Sequence, residues 1–251
     1  MNTEVAVRRA AFRALHQEGC FVIPNPWDIG SARLLEKLGF KALASTSAGY
    51  AWTRGRNDGE LTRDEVLSHL RDLCNATPLP VNADFEAGFA DEPEGVAANV
   101  LLAVETGVAG LSIEDRTDQE LYALPLAIER IRAARRAIDQ SGHDVILVAR
   151  TEGLLIGESD TRQATERLVA YADAGADCLY APGVTDLSAI QSMVSAVAPR
   201  PVNVLLLGMN VSDLAAAGVR RVSVGSGLTR VAQAAFEQAA LSLRDHGRLS
   251  H

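Results

Sequence analysis

The run Val81-Asn82-Ala83-Asp84-Phe85-Glu86-Ala87-Gly88-Phe89 carries two carboxylates separated by a single residue, directly after Pro78-Leu79-Pro80. With a period of two, Asn82, Asp84 and Glu86 fall in one phase and Val81, Ala83 and Phe85 in the other. An apolar back with acids at the C-terminal end suits a strand of a parallel sheet covered by helices. Acids there point to where such sheets keep their ligands. Two close carboxylates repel unless a cation lies between them, and a hard, oxygen-loving ion such as magnesium is the simplest partner. The same spacing also fits a pair of acids that start a loop or cap the next helix.

Other residues able to do chemistry fall where further strands should end: Asn25 and Asp28, Ser45-Thr46-Ser47, Glu114, Arg150, Tyr180, Asn203 and Gly225-Ser226-Gly227. Ser112 alternates with Leu111 and Ile113 and so places Glu114 in the polar phase, and Arg150 lies two places beyond Val148. Three acids and one arginine can serve a divalent ion and a carboxylate, the ion taking some oxygens and the guanidinium forking onto others. Arg150 also fits an ion pair with an acid of the same site. Gly225-Ser226-Gly227 reads either as an anion nest at a helix start or as a simple left-handed turn. Tyr180 fits a packed aromatic. The histidines His16, His69, His143, His246 and His251 have no ligand spacing and are expected at the surface, which argues against a zinc hydrolase.

The elements that must position these residues alternate. Helical patterns are expected over 4–17, from Asp28 as cap to Gly39, over 94–106, 126–138, 160–174, 188–197 and 211–217, and through Leu243. Strands are expected over 20–23, 40–45, 110–114, 145–150, 178–181, 201–205 and 222–225, besides the acidic run. Thr62-Arg63-Asp64-Glu65 has the form of a capping box. The polar connection Arg54-Gly55-Arg56-Asn57-Asp58-Gly59 before it reads as a functional loop or lid. This alternation, without a composition shift, predicts a single (β/α)8 TIM-type barrel over residues 1–251. No Gly-x-Gly-x-x-Gly follows the first strand, as a dinucleotide-binding sheet would require.

The chain has 251 residues, 47% of them hydrophobic, and a formal net charge of −8. That charge argues against nucleic acid or an anionic membrane as partner, and leaves an anionic substrate in need of a local cation. Cys20, Cys74 and Cys178 are widely spaced and odd in number, as expected of reduced core thiols. The charged start is unlike a signal peptide, and no apolar run is long enough to span a bilayer, so a cytoplasmic protein is expected.

Phe40-Lys41-Ala42-Leu43-Ala44-Ser45-Thr46-Ser47, Gly55-Arg56-Asn57-Asp58, the acidic run, Ser112-Ile113-Glu114-Asp115-Arg116 and Val148-Ala149-Arg150-Thr151-Glu152 occur in this order. Together they resemble the isocitrate lyase / phosphoenolpyruvate mutase superfamily, over nearly the whole chain. The resemblance implies a barrel whose last helix is swapped with a neighbour, usually in a homotetramer. It implies magnesium (or manganese) held largely through water by acids matching Asp84, Glu86 and Glu114, with Asp58 nearby. It also implies a small oxo- or hydroxycarboxylate substrate, gripped at positions matching Ser45, Thr46 and Ser47 and by an arginine matching Arg150. The metal would stabilise a pyruvate enolate as a C–C or C–P bond breaks.

Two departures stand out. Glu86 is one methylene longer than the family's usual aspartate. The loop after the fourth strand reads Arg116-Thr117-Asp118-Gln119-Glu120-Leu121-Tyr122, without the Lys-Lys/Arg-Cys-Gly-His element of the lyases or the asparagine of the mutases. An ordinary isocitrate lyase is therefore not expected. Three functions remain open. The first is metal-dependent C–C cleavage of an oxaloacetate-like acid, in which water can protonate the enolate. The second is C–P chemistry on a phosphonate, with Thr117 or Asp58 as residues to examine. The third is an oxo-acid-binding barrel without catalysis.

Overall fold

The computed structural model describes residues 3–117 and 120–249. Its strands are β1 (Phe21–Ile23), β2 (Leu43–Ala44), β3 (Val81–Asp84), β4 (Gly110–Glu114), β5 (Ile146–Arg150), β6 (Cys178–Tyr180), β7 (Val202–Leu205) and β8 (Arg221–Ser223). The helices are α1 (Thr3–Leu15), α2 (Ile29–Lys37), α3 (Ser47–Thr53), α4 (Arg63–Ala76), α5 (Pro93–Glu105), α6 (Leu124–Gln140), α7 (Gly153–Ile156), α8 (Thr161–Asp173), α9 (Leu187–Val197), α10 (Val211–Ala216) and α11 (Gly227–His246). All strand pairs are parallel, in the order β1-β8-β7-β6-β5-β4-β3-β2. Ala44 N donates to Pro24 O at 3.0 Å across the remaining seam. Asn25 crosses it too, donating to Ser45 O and accepting from Val224 N, each at 3.0 Å. The result is the expected (β/α)8 barrel, nearly closed.

Local chemistry sets the boundaries. Asp28 caps α2 in a reciprocal box with Ser31, and Thr62 caps α4 in another with Glu65. The expected strand over 40–45 shortens to two residues because Thr46 caps a new helix, α3, through Gly49 N at 3.2 Å. That helix, and the short α7, had no apolar periodicity long enough to show in the sequence.

One core lies between sheet and helices; a second lies inside the barrel and gathers Phe12 with Ile23, Ala42, Ala44, Ala109, Ile146, Val148, Cys178 and Tyr180. Phe12 reaches this inner core from α1, whose Arg9 donates to Val108 O and Val104 O at 3.0 and 2.7 Å. A Cβ on Gly110 would sit 2.7 Å from the Phe12 ring, so β4 needs glycine where the plug enters. With one end filled, the open end is the C-terminal one, as in barrel enzymes generally. No helix among the described residues is long and apolar enough to cross a membrane. The cysteines are free, with Cys74 and Cys178 buried.

The expectation of surface histidines fails at two positions. His16 packs edge-on against Phe12 and Phe21, with its Nδ1 donating to Phe12 O at 2.8 Å. His69 is buried and stacks on Tyr50 at 3.8 Å. His16, in the turn after α1, and His69, on α4, each face the core, where an imidazole fills space as a neutral aromatic. His246 is exposed, and His251 lies outside the described residues.

Burial pushes His16 down to about 3 and His69 down to about 4. Both are neutral when folded but protonate near pH 6.5 when unfolded, so their contribution is intact above pH 6.5 and is lost as pH falls towards the folded values. At pH 5 each costs about 2 kcal/mol. The double variant H16F/H69F is therefore expected to lose much less melting temperature than the parent between pH 7 and pH 5. Equal losses in calorimetry would contradict this.

Candidate active site

The β2 and β3 ends are stitched together by serines. Ser45 Oγ accepts from Asp84 N at 2.8 Å, which fixes the backbone at the strand end. Ser47, at the start of α3, donates to Asp84 Oδ2 through both its N–H and its hydroxyl, each at 3.0 Å. The same hydroxyl lies 2.9 Å from Asp58 Oδ1, on the loop after α3. One hydroxyl proton cannot serve both acids at once, so Ser47 links Asp58 to Asp84 as a shared donor. Burial, and next the charge of Asp84, raise Asp58 above the ordinary carboxylate range.

The β4 and β5 ends supply the opposite wall. Glu114 and Arg150 are register partners, which sets their side chains against each other. Arg150 Nη1 lies 3.0 Å from Glu114 Oε1 and 3.7 Å from Asp84 Oδ1. Its guanidinium stands over the Tyr180 ring at 5.2 Å, within cation–π range. Burial works against the charge of Arg150, but Glu114 and Glu152 outweigh it and raise the group well above its ordinary value. Burial raises Glu114 to about 8, with Arg150 opposing and Glu152 and Asp84 reinforcing the shift. A cation bound there would reverse that balance.

Glu86 does not continue the strand alternation. β3 ends at Asp84, and Glu86 takes a left-handed φ of 46° that redirects its side chain. Its carbonyl still accepts from Glu114 N at 2.9 Å. Glu86 and Glu114 line one cleft of about 470 Å³, with Leu61, Arg116, Thr117 and Tyr122.

Thr46, Asn203 and Gly225 have structural roles. Thr46 is buried and acts as the α3 cap. Asn203 is 1% exposed, inside the barrel, where it donates to Ser223 Oγ at 3.0 Å. Gly225 has the left-handed φ of 53° that a turn before α11 requires. Asp118 and Gln119, in the altered loop, lie outside the described residues.

The donors can be tested against a divalent ion. Among the described residues no three His, Cys, Asp or Glu side chains come close enough to hold one directly. Asp84 Oδ1 is buried without a hydrogen-bond partner, beside Glu114, and all the nearby anionic donors are carboxylates. An all-oxygen set that falls short of a full cage fits a hard ion that keeps part of its water.

Two acids here escaped the sequence reading. Glu152 Oε1 takes the Nε of Arg150, and Glu152 N donates to Asp115 Oδ1 at 2.9 Å. Asp115 Oδ2 accepts from Tyr171 OH at 2.5 Å and from Arg167 Nη1 at 3.1 Å. Glu152 follows Arg150 by two, in the same strand phase, so the period that selected Arg150 also pointed to it.

The family description "Phosphoenolpyruvate phosphomutase" matches residues 12–244. A solved protein from Burkholderia cenocepacia J2315, described only as a candidate lyase/mutase, is 48% identical, with a TM-score of 0.95 over 98% of this chain and 91% of that one. Oxaloacetate acetylhydrolase, solved with its product oxalate, is 27% identical, with a TM-score of 0.90 over 98% of this chain and 90% of its own. The 2-methylisocitrate lyase of Escherichia coli K12 is 31% identical over 199 residues, which is 74% of this chain and 66% of the lyase. Motif order, barrel and matched span agree, and the chain belongs to the phosphoenolpyruvate phosphomutase family, within the PEP mutase/isocitrate lyase superfamily of lyases and mutases.

Proposed function

We propose that this chain is a magnesium-dependent lyase that cleaves a C–C bond of a small, oxaloacetate-like 2-oxo or 2-hydroxy acid, with pyruvate enolate as the departing fragment. The observation that carries the reading is the meeting of Asp84, Glu114 and Arg150 at neighbouring strand ends. It is supported by relatives that act on acids of this kind, 2-methylisocitrate lyase and oxaloacetate acetylhydrolase among them.

In this reading Asp84 and Glu114, with Glu86 of the same cleft, would hold the ion. A magnesium ion held there would supply Lewis-acid stabilisation of negative charge developing on the substrate. Arg150 forks onto the substrate carboxylate, for which Glu114 must release Nη1. Ser47 keeps Asp84 Oδ2 turned to its own N–H and hydroxyl, so that Oδ1 faces the site. Asp58 stands one hydroxyl away from Asp84, joined to it through Ser47. The loop from Arg116 has no cysteine or histidine acid, so solvent protonates the product enolate.

Thr229 is buried, next to Gly49 of α3, but beyond it α11 leaves the barrel with Val231, Phe236 and Leu243 exposed at 69, 77 and 54%. Leu228, Ala232, Ala235, Ala239 and Leu243 recur at helical spacing on one face. We take this face to pack on a second copy, in a homo-oligomer of the tetrameric kind.

The test is magnesium-dependent release of pyruvate from a panel of 2-oxo and 2-hydroxy acids, with phosphate release from phosphonopyruvate followed in parallel. Turnover of a C–C substrate, abolished by chelation, is expected. Turnover of phosphonopyruvate alone would move the chain to C–P chemistry, and tight binding without turnover would make it an oxo-acid-binding protein.

A further inference from the structure

Arg150 is a clamp only if its fork faces the substrate, yet it is surrounded by acids that compete for it. Nη1 already faces Glu114 and Asp84, at 3.0 and 3.7 Å. With nothing holding its other edge, the guanidinium can turn onto Glu114 with two parallel bonds, the geometry this pair prefers. That would consume the clamp and one of the carboxylates together.

Glu152 prevents this turn by occupying Nε. The acid is itself held: it is 2% exposed, and its N–H is fixed by Asp115 Oδ1. Asp115 is locked by the Tyr171 hydroxyl and the Arg167 guanidinium, and Arg167 also reaches Tyr122 O at 3.0 Å. The chain of contacts thus runs from α8, through the loop after β4, to the Nε edge of Arg150. Nothing in it is exposed enough to be a surface ion pair of little consequence.

We propose that Glu152 is the positioning residue of the site, holding Arg150 by Nε so that Glu114 meets the guanidinium through Nη1 alone and the Nη edge can open to the substrate carboxylate. This rests on the proposed reading of Arg150 as carboxylate clamp. The Asp115–Tyr171 contact serves as its foundation, since it fixes the backbone from which Glu152 extends.

The experiment measures oxalate affinity by calorimetry in the presence of magnesium for the parent, R150K, E152Q and the double variant, with melting temperatures alongside. E152Q keeps the shape and one acceptor but removes the charge that opposes Glu114. It is expected to melt within a few degrees of the parent, yet bind oxalate at least ~10-fold more weakly. R150K is expected to lose at least as much. The double variant should be no more than about threefold worse than R150K, because both changes act on one guanidinium. An E152Q affinity within twofold of the parent, with R150K still weakened, overturns the inference and leaves the site reading standing. So does full additivity in the double variant. An R150K variant that binds oxalate normally removes the clamp reading and the inference with it. Should E152Q not fold, E152D decides by the same criteria.

Discussion

Replacing Asp84 with asparagine is expected to reduce turnover of the preferred oxo acid by at least ~1,000-fold, with little effect on the fold. The expectation follows from how the two oxygens differ. Oδ2 accepts two bonds from Ser47, and an amide oxygen can still accept those. Oδ1 is buried, makes no hydrogen bond and faces the Arg150 and Glu114 side. It is the atom available to an ion, and asparagine places an NH2 there, which cannot ligate a hard cation. Structure is thus retained while charge and ligation are lost. The assay is pyruvate release with magnesium in excess, beside a thermal melt. A D84N variant that turns over within tenfold of the parent would remove Asp84 from the metal site. A variant that fails to melt cooperatively would show a structural role for Asp84 instead.

The second large effect is expected at α11. An exposed Phe236 at the middle of a twenty-residue helix that touches its own barrel mainly through its first turn is costly unless something covers it. Burying a side chain of that size contributes about 1.5–3 kcal/mol per copy, and a symmetric assembly multiplies this. F236D combined with L243D should therefore shift the protein from an oligomer to a single copy at micromolar concentration, read by sedimentation velocity. The same variant should keep its barrel, since α11 contributes one buried residue, Thr229, to the monomer. A parent that sediments as a single copy, or an unchanged mass in the variant, would contradict the proposed packing.

The barrel was legible because its physics is local and repetitive. Parallel strands buried on both faces read as short apolar runs, and caps such as Asp28 and Thr62 announce the helices between them. The strand-end rule placed Asp84, Glu114 and Arg150 together for the same reason, since in-register parallel strands bring their C-terminal residues to one mouth. The rule gives no direction where the chain leaves regular structure. Glu86 was assigned by alternation, but a left-handed backbone starts the turn after β3 and sets its direction independently. Asn203 sits at a strand position of the right phase, in register with Tyr180, and is buried with its amide on Ser223.

Helix α3 and the buried histidines show a different limit. Ser47 through Thr53 is too short to mark a helical period, and the Thr46 cap and the packing of Gly49 against Thr229 place it. His16 and His69 look like surface residues by type, and only tertiary packing shows that each serves as an aromatic filler. Glu152 was visible in principle. It stands two residues after Arg150, but its role depends on Asp115 and Tyr171, which are distant in sequence.

The central claim is that carboxylates from separate strand ends hold one divalent cation on which an oxo acid rests. Electron paramagnetic resonance of manganese added to the protein tests it directly. The account predicts one tight manganese site per chain, a spectrum that broadens with 17O-labelled oxalate, and loss of that site in D84N. A protein that leaves manganese in its free aqueous form, or a bound signal indifferent to labelled oxalate, would contradict it.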